Sequence, residues 1–277
     1  MPKDVLVNLG INKKSDVAGD FALSVAERFG AHVEAVAFAY HVDYPGTLFE
    51  GGVATELLTA RNDELLKAAT DAKAGFDAKA GRSGLSCASR MAKLDFSAAA
   101  RYFGQLGRCF DLSIVAQSDD EDETALDLIA EAALFESGRP VLVVPYIQKG
   151  PLQVDRATVC WDGSANAARA ANDALPFLKL AKKVDLVTVS SAREASKALP
   201  EADILHHLAR HGVKVESKSI PSPDLTVADA VLSYAADSGT NLLVMGGYGH
   251  SRVREFILGG MTRDILASMT VPVLMSH

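Results

Sequence analysis

Two glycine clusters mark the stretch of this chain where chemistry is most legible. Met245-Gly246-Gly247-Tyr248-Gly249-His250 runs through Ser251 to Leu258 into Gly259-Gly260-Met261-Thr262, with Gly249 and Gly259 ten residues apart. Glycine lets a main chain turn tightly and approach a ligand closely. A helix N-terminus offers unpaired N–H groups and a partial positive charge, which suits a phosphate. The segment begins where an apolar strand pattern ends and closes where a helical one, Met261–Met269, begins, so the chemistry it fits is phosphate binding, with the Thr262 hydroxyl as an added donor. A single Gly-x-x-Gly would be read as a turn and nothing more. His250, Arg252 and Arg254 follow as groups that either meet phosphates or are plain surface charge.

A second element precedes it. Trp161-Asp162-Gly163-Ser164 follows an apolar run. In open α/β sheets ligands sit beyond the carboxyl ends of strands, where the strand order reverses. There Asp162 is able to accept a hydrogen bond from a ribose hydroxyl or an adenine amino group; capping the helix that begins near Ser164 is an equal reading. Trp161 is expected to pack rather than stack on a base.

The elements that must position these groups repeat. Strands are expected at Asp4–Leu9, Val33–Tyr40, Leu85–Met91, Leu112–Gln117 and Pro140–Val144, and again at Ala157–Trp161, Val184–Ser190, Val213–Ile220, Asn241–Gly246 and Val271–Met275. Helical periods lie between them: Leu58, Leu65, Ala69, Ala72 and Phe76 share one face, and Val227, Val231 and Ala235 another. Thr226 and Asp229 have the spacing of a capping box. Strand–helix alternation implies a parallel sheet with helices on both faces. Arg139-Pro140-Val141-Leu142-Val143-Val144 ends one half and Val271-Pro272-Val273-Leu274-Met275 the other. The polar bridge Gln148-Lys149-Gly150-Pro151 separates them, which gives domains 1–149 and 152–277. The duplication suggests an internal pseudo-twofold pair, with Pro140–Val144 and Val271–Met275 as candidate seam strands.

Composition narrows the function classes. Of 277 residues 48% are hydrophobic and 23% charged, which excludes wholesale disorder. The net charge of −7 argues against a broad nucleic-acid surface. No apolar run approaches the roughly 18 residues of a membrane span. Met1-Pro2-Lys3-Asp4 does not open a signal peptide, and Cys87, Cys109 and Cys160 are too widely spaced for a disulfide framework or a zinc site, so a cytoplasmic protein is expected.

With these residues in view, the chain resembles the universal stress protein family in its tandem-domain form. Nucleotide-binding members carry Gly-x2-Gly-x9-Gly-(Ser/Thr), and Gly246, Gly249 and Gly259 fall at that spacing. Gly260 replaces the final small hydroxyl residue, a loss of about 0.5–1.5 kcal/mol for a neutral hydrogen bond. The resemblance implies two Rossmann-like, five-stranded α/β domains with strand order 3-2-1-4-5. It implies that Asp162 contacts the nucleoside, that the Val189 main chain meets adenine, and that Gly246, Gly249, Gly259, Gly260 and Thr262 hold phosphates. The implied ligand is ATP or AMP, with or without magnesium. The implied role is regulatory, in stress resistance, with a protein partner the sequence does not name, and a homodimer beyond the internal pair is compatible with it. Two other readings stand beside it: a slow ATPase or adenylyl-transfer enzyme, for which no Ser-Gly-Gly-x-Asp-Ser or His-x-Gly-His motif and no base is present, and a nucleotide-free interaction module.

The first half departs from this pattern. Ala116-Gln117-Ser118-Asp119 stands where the second half has Gly246-Gly247-Tyr248-Gly249, an acidic run from Asp119 to Glu123 follows, and Gly10 takes the place of Asp162. Carboxylates repel phosphate, so this half is expected to be a degenerate, non-binding copy. The acidic run lacks calcium-loop spacing and reads as a solvated loop. His206, His207 and His211 cluster in Ile204–His211, but with no third ligand in sequence they read as solvated or capping residues, with zinc binding as the minority alternative. Cys160 is expected to be a buried, inert thiol, and Ser164 has no nucleophile-elbow pattern around it.

Overall fold

The computed structural model describes residues 1–11, 16–41, 52–118, 123–190, 201–221, 225–247 and 260–277. The chain forms two compact units, one of residues 2–137 and 149–151, the other of residues 1, 138–148 and 152–277.

The N-terminal unit contains β1 (Asp4–Asn8), α1 (Val17–Phe29), β2 (His32–Tyr40), α2 (Gly52–Ser83), β3 (Cys87–Leu94), α3 (Phe96–Gly107), β4 (Leu112–Ala116) and α4 (Glu123–Glu136). Its strands lie in the order β3-β2-β1-β4, and the pairs of β1 with β2 and β4, and of β2 with β3, are parallel. The 32 residues of α2 bury Leu65, Ala69 and Phe76, while Leu58 and Ala72 of the expected face are only half-buried.

The C-terminal unit contains β5 (Val141–Val144), β6 (Arg156–Cys160), α5 (Ala165–Asp173), α6 (Leu175–Leu178), β7 (Lys183–Ser190), α7 (Glu201–Arg210), β8 (Val215–Pro221), α8 (Val227–Ser238), β9 (Leu242–Gly246), α9 (Met261–Ser268) and β10 (Val273–Ser276). Strands β8-β7-β6-β9-β10 are parallel neighbours, the expected 3-2-1-4-5 order for this half. Because the order runs outward to β8 and then reverses, right-handed crossovers place the helices before β8 on one face of the sheet and those after it on the other. Strand β9 is buried from Leu242 through Met245, as a strand covered on both faces must be. The outer strand β8 alternates between half-buried and exposed positions.

The fifth strand of the first half behaves differently from a plain parallel repeat. Strand β5 pairs antiparallel with β10, Val143 opposite Val273 and Val141 opposite Met275. Both expected seam strands are therefore partners, and residues 138–148 group with the C-terminal unit although they precede the Gln148–Pro151 bridge. All four side chains of β5 are buried, which a pairing of two short apolar edges explains.

Four helices open on a side-chain cap: Asp16 for α1, Asp95 for α3, Ser164 for α5 and Thr226 for α8, each accepting from the N–H three residues on. The Thr226 hydroxyl also donates to the Asp229 carboxylate at 2.7 Å. The α8 face expected from sequence is corrected at one position. Val231 and Ala235 are buried, but Val227, the first residue after the Thr226 cap, is 42% exposed.

Candidate functional site

Of the described candidates, Asp162 and Gly246 lie where β6 and β9 end and the strand order of the C-terminal unit reverses, and Val189 lies near the end of the adjacent β7. Strand β6 stops at Cys160, and the Trp161 N–H donates to the Val187 carbonyl at 2.8 Å. The chain then turns through Gly163, at φ 77°, a backbone conformation that glycine adopts without strain. The Ser164 N–H donates to Asp162 Oδ1 at 2.9 Å, and the Ser164 hydroxyl accepts from the Ala167 N–H at 3.1 Å. Ser164, not Asp162, is thus the cap of α5. Asp162 closes the turn ahead of it and is exposed. Trp161 is 6% exposed, in keeping with packing, and its indole Nε1 is buried without a hydrogen-bond partner.

Strand β9 ends against the same helix. A Cβ on Gly246 would lie 2.7 Å from the Ala167 nitrogen and 2.8 Å from the Asn166 carbonyl carbon, so only glycine lets the strand end abut the start of α5. Asn166 Nδ2 donates to the Gly247 carbonyl at 2.8 Å, and the Gly247 N–H donates to the Ser276 carbonyl at 2.9 Å. The helix that opens two residues after Asp162 is thereby fastened to the strand that carries Gly246. Asn166 was not anticipated as part of this junction; a polar side chain in the first turn of the helix after strand one was the available signal.

Val189 has a legible geometry. In a parallel strand the N–H and C=O of alternate residues point to alternate neighbours. The Lys183 N–H points toward the β6 side, to Asp155, and the Val184 N–H toward the β8 side, to Lys214. The Val187 carbonyl meets Trp161 on the β6 side. Val189 shares that parity, two residues beyond the last β6 pair, Cys160 with Val187. Its N–H and C=O therefore face the side from which the β6 chain has already turned away, an arrangement that presents one donor and one acceptor in line.

Helix α9 opens on Gly260 with no side-chain cap, unlike the four capped helices. Thr262, its second residue, is 5% exposed and buried, and Arg263 is exposed. Gly249 and Gly259 lie outside the described residues, as do His250, Arg252, Arg254 and Asp119 to Asp122. Burial pushes the Cys160 thiol up to about 12, and the Asp162 charge adds to it, so this cysteine is not a nucleophile at neutral pH. Among the described residues no three His, Cys, Asp or Glu side chains are placed to hold a metal ion, and no helix is long and apolar enough to cross a membrane.

Residues 153–277 match the model of the universal stress protein family. A stretch of 142 residues is 28% identical to universal stress protein Slr1230 of Synechocystis sp. (strain ATCC 27184 / PCC 6803 / Kazusa), covering 49% of this chain and 46% of that protein. The match thus spans about half the length of that relative. The structure of a universal stress protein from Archaeoglobus fulgidus DSM 4304 is similar over 99% of this chain and 95% of its own, with a TM-score of 0.67 at 16% identity. A putative universal stress protein from Pseudomonas aeruginosa UCBPP-PA14 gives 0.63 at 15% identity, over 99% and 93%. At these identities the structural likeness speaks to the fold. The likeness to the universal stress protein family thus rests, in sequence, on residues 153–277, the part of the chain that carries β6 to β10.

Proposed function

We propose that the C-terminal unit binds one adenine nucleotide, ATP or AMP, beyond the ends of β6 and β9. In this reading the Val189 main chain pairs with the adenine edge and the Asp162 carboxylate accepts from the nucleoside. The amides of Gly246, Gly249, Gly259 and Gly260 meet the phosphates, magnesium accompanies a triphosphate, and Thr262 supplies a hydroxyl at the inner end of that phosphate cradle. The observation that carries the reading is the start of α9. It alone among the eight-residue or longer helices with a described N-cap lacks a capping side chain, and an uncapped helix N-terminus suits an anion. The role is regulatory: occupancy shifts the balance between states that differ in nucleotide affinity, and the family points to stress resistance as its setting.

Calorimetric titration of the full chain with ATP and with AMP, with and without magnesium, tests this. One saturable site per chain is expected, with no binding heat from Gly249→Asp at unchanged circular dichroism, because a carboxylate in the phosphate path repels the ligand. Equal affinities for the two proteins would remove the phosphate assignment.

A further inference from the structure

We propose that His207, His211 and Asn172 form a site for a divalent late first-row metal ion that joins α5 to α7. The site is separate from the nucleotide reading and does not depend on it.

The two histidines are four residues apart on α7 and its C-terminal extension, and the His211 N–H donates to the His207 carbonyl at 3.3 Å, so one more helical turn carries His211 above His207. Their rings lie 4.7 Å apart between centroids, tilted by 59°. The third donor comes from another helix. His207 Nε2 and Asn172 Oδ1 are 3.0 Å apart. The identity of that amide atom follows from its other bond: Asn172 Nδ2 donates to the Ala168 carbonyl at 2.8 Å, which leaves the oxygen to face the imidazole. Without metal, His207 Nε2 must then carry the proton and donate it to Asn172.

The spacing of these two atoms, though not their hydrogen-bonded orientation, matches two ligands of one ion, so binding requires His207 Nε2 to turn off the Asn172 oxygen toward the ion. Donors at right angles on bonds of about 2.1 Å stand about 3.0 Å apart, the edge of an octahedral or square arrangement; a tetrahedron opens that edge to about 3.4 Å. Two imidazole nitrogens and an amide oxygen in tetragonal geometry favour copper(II) or nickel(II), with water completing the sphere. Binding replaces the His207 proton by the metal, with that proton released to solvent. The carboxyl end of α7 adds a partial negative charge on the same side, which counters the neighbouring Arg210.

Titration of the full chain with copper(II) chloride in a non-coordinating buffer, followed by visible absorption and electron paramagnetic resonance, tests the proposal. Two nitrogen donors are expected in the spectrum. His207→Ala and His211→Ala should each weaken binding by about tenfold or more, while His206→Ala, beside them in sequence, should leave it unchanged. Asn172→Ala should weaken it and Asn172→Asp, which offers a charged oxygen at the same place, should tighten it, each by about tenfold. Wild-type affinity in either His207→Ala or His211→Ala, or an affinity indifferent to both Asn172 variants, would overturn the assignment.

Discussion

The two strand-order reversals of this chain use the same frame and end differently. Register makes them comparable residue by residue. Leu9 donates its N–H to the Val36 carbonyl as Trp161 does to Val187, so Gly10 stands for Asp162. Leu6 pairs with Ser113 as Thr158 pairs with Leu243, so Ala116 stands for Gly246 and Gln117 for Gly247. In the C-terminal unit the chain reaches its helix cap two residues after Asp162 and leaves that carboxylate exposed. In the N-terminal unit the cap is Asp16, and its Oδ1 accepts from both Gly10 N–H, at 3.2 Å, and Gly19 N–H, at 3.1 Å. There the carboxylate is turned inward to satisfy the protein's own amides. The counterpart of Val189 is Phe38, 1% exposed and packed among Tyr40, Tyr102 and Phe103. The N-terminal reversal engages its half-buried carboxylate with two backbone amides, and the C-terminal one keeps an exposed carboxylate with a single turn bond to Ser164.

The largest test of this contrast acts on packing. Gly246→Ala forces a methyl against the backbone of α5 and should destabilise the C-terminal unit by about 1–3 kcal/mol, whereas Ala116→Gly should cost no more than about 1 kcal/mol. Chemical denaturation of both variants compares them, and equal losses would break the equivalence of the two strand ends. Next in size, Asp162→Ala should weaken ATP by about 1.5–3 kcal/mol, roughly tenfold or more, while Gly10→Asp should add no second site in the same titration.

A smaller effect separates the carboxylates by pH. Burial raises the Asp16 carboxyl above the ordinary aspartate value of 3.8, against the lowering pull of the Gly19 and Gly10 amides. A folded pKa above the unfolded one means the folded state holds the proton more tightly, so this group favours folding below its folded pKa and opposes it above. Asparagine caps helices about as well as aspartate. Asp16→Asn should therefore be more stable than the parent at neutral pH, and the gap should close in acid; urea midpoints at both pH values report it. Smallest is the effect on Cys160. It should react with iodoacetamide far more slowly than exposed Cys109, and Asp162→Asn should speed it by removing a charge that raises its pKa.

Much of the frame was legible because buried parallel strands are written as short β-branched runs. All ten expected strands are present, and the central ones end within about two residues of expectation. The outer strand β3 slid furthest, from Leu85–Met91 to Cys87–Leu94, because an edge strand with alternating exposure has no continuous apolar run to mark its ends. The direction of β5 was illegible, since the same four apolar residues satisfy a parallel or an antiparallel neighbour. At the site, glycine spacing pointed to the β9 end, and register then gave Val189 its orientation. Ser164 as the cap, the Asn166 bond to Gly247 and the burial of Thr262 depend on distances that no spacing encodes. The Asn172 contact with His207 belongs to the same class, because 35 residues separate its partners.

The pairing of β5 with β10 has a consequence for dividing the molecule. A cut at the Gly150-Pro151 bridge looks natural in sequence, yet a fragment beginning at 152 would carry Val273, Leu274 and Met275 along an open sheet margin. Such a margin recruits whatever strand is nearest, including another copy of itself. Beginning the fragment at Gly138 would bring its own cover strand along, held also by the Arg169 guanidinium, which reaches the Gly138 and His277 carbonyls at 2.6 and 2.9 Å.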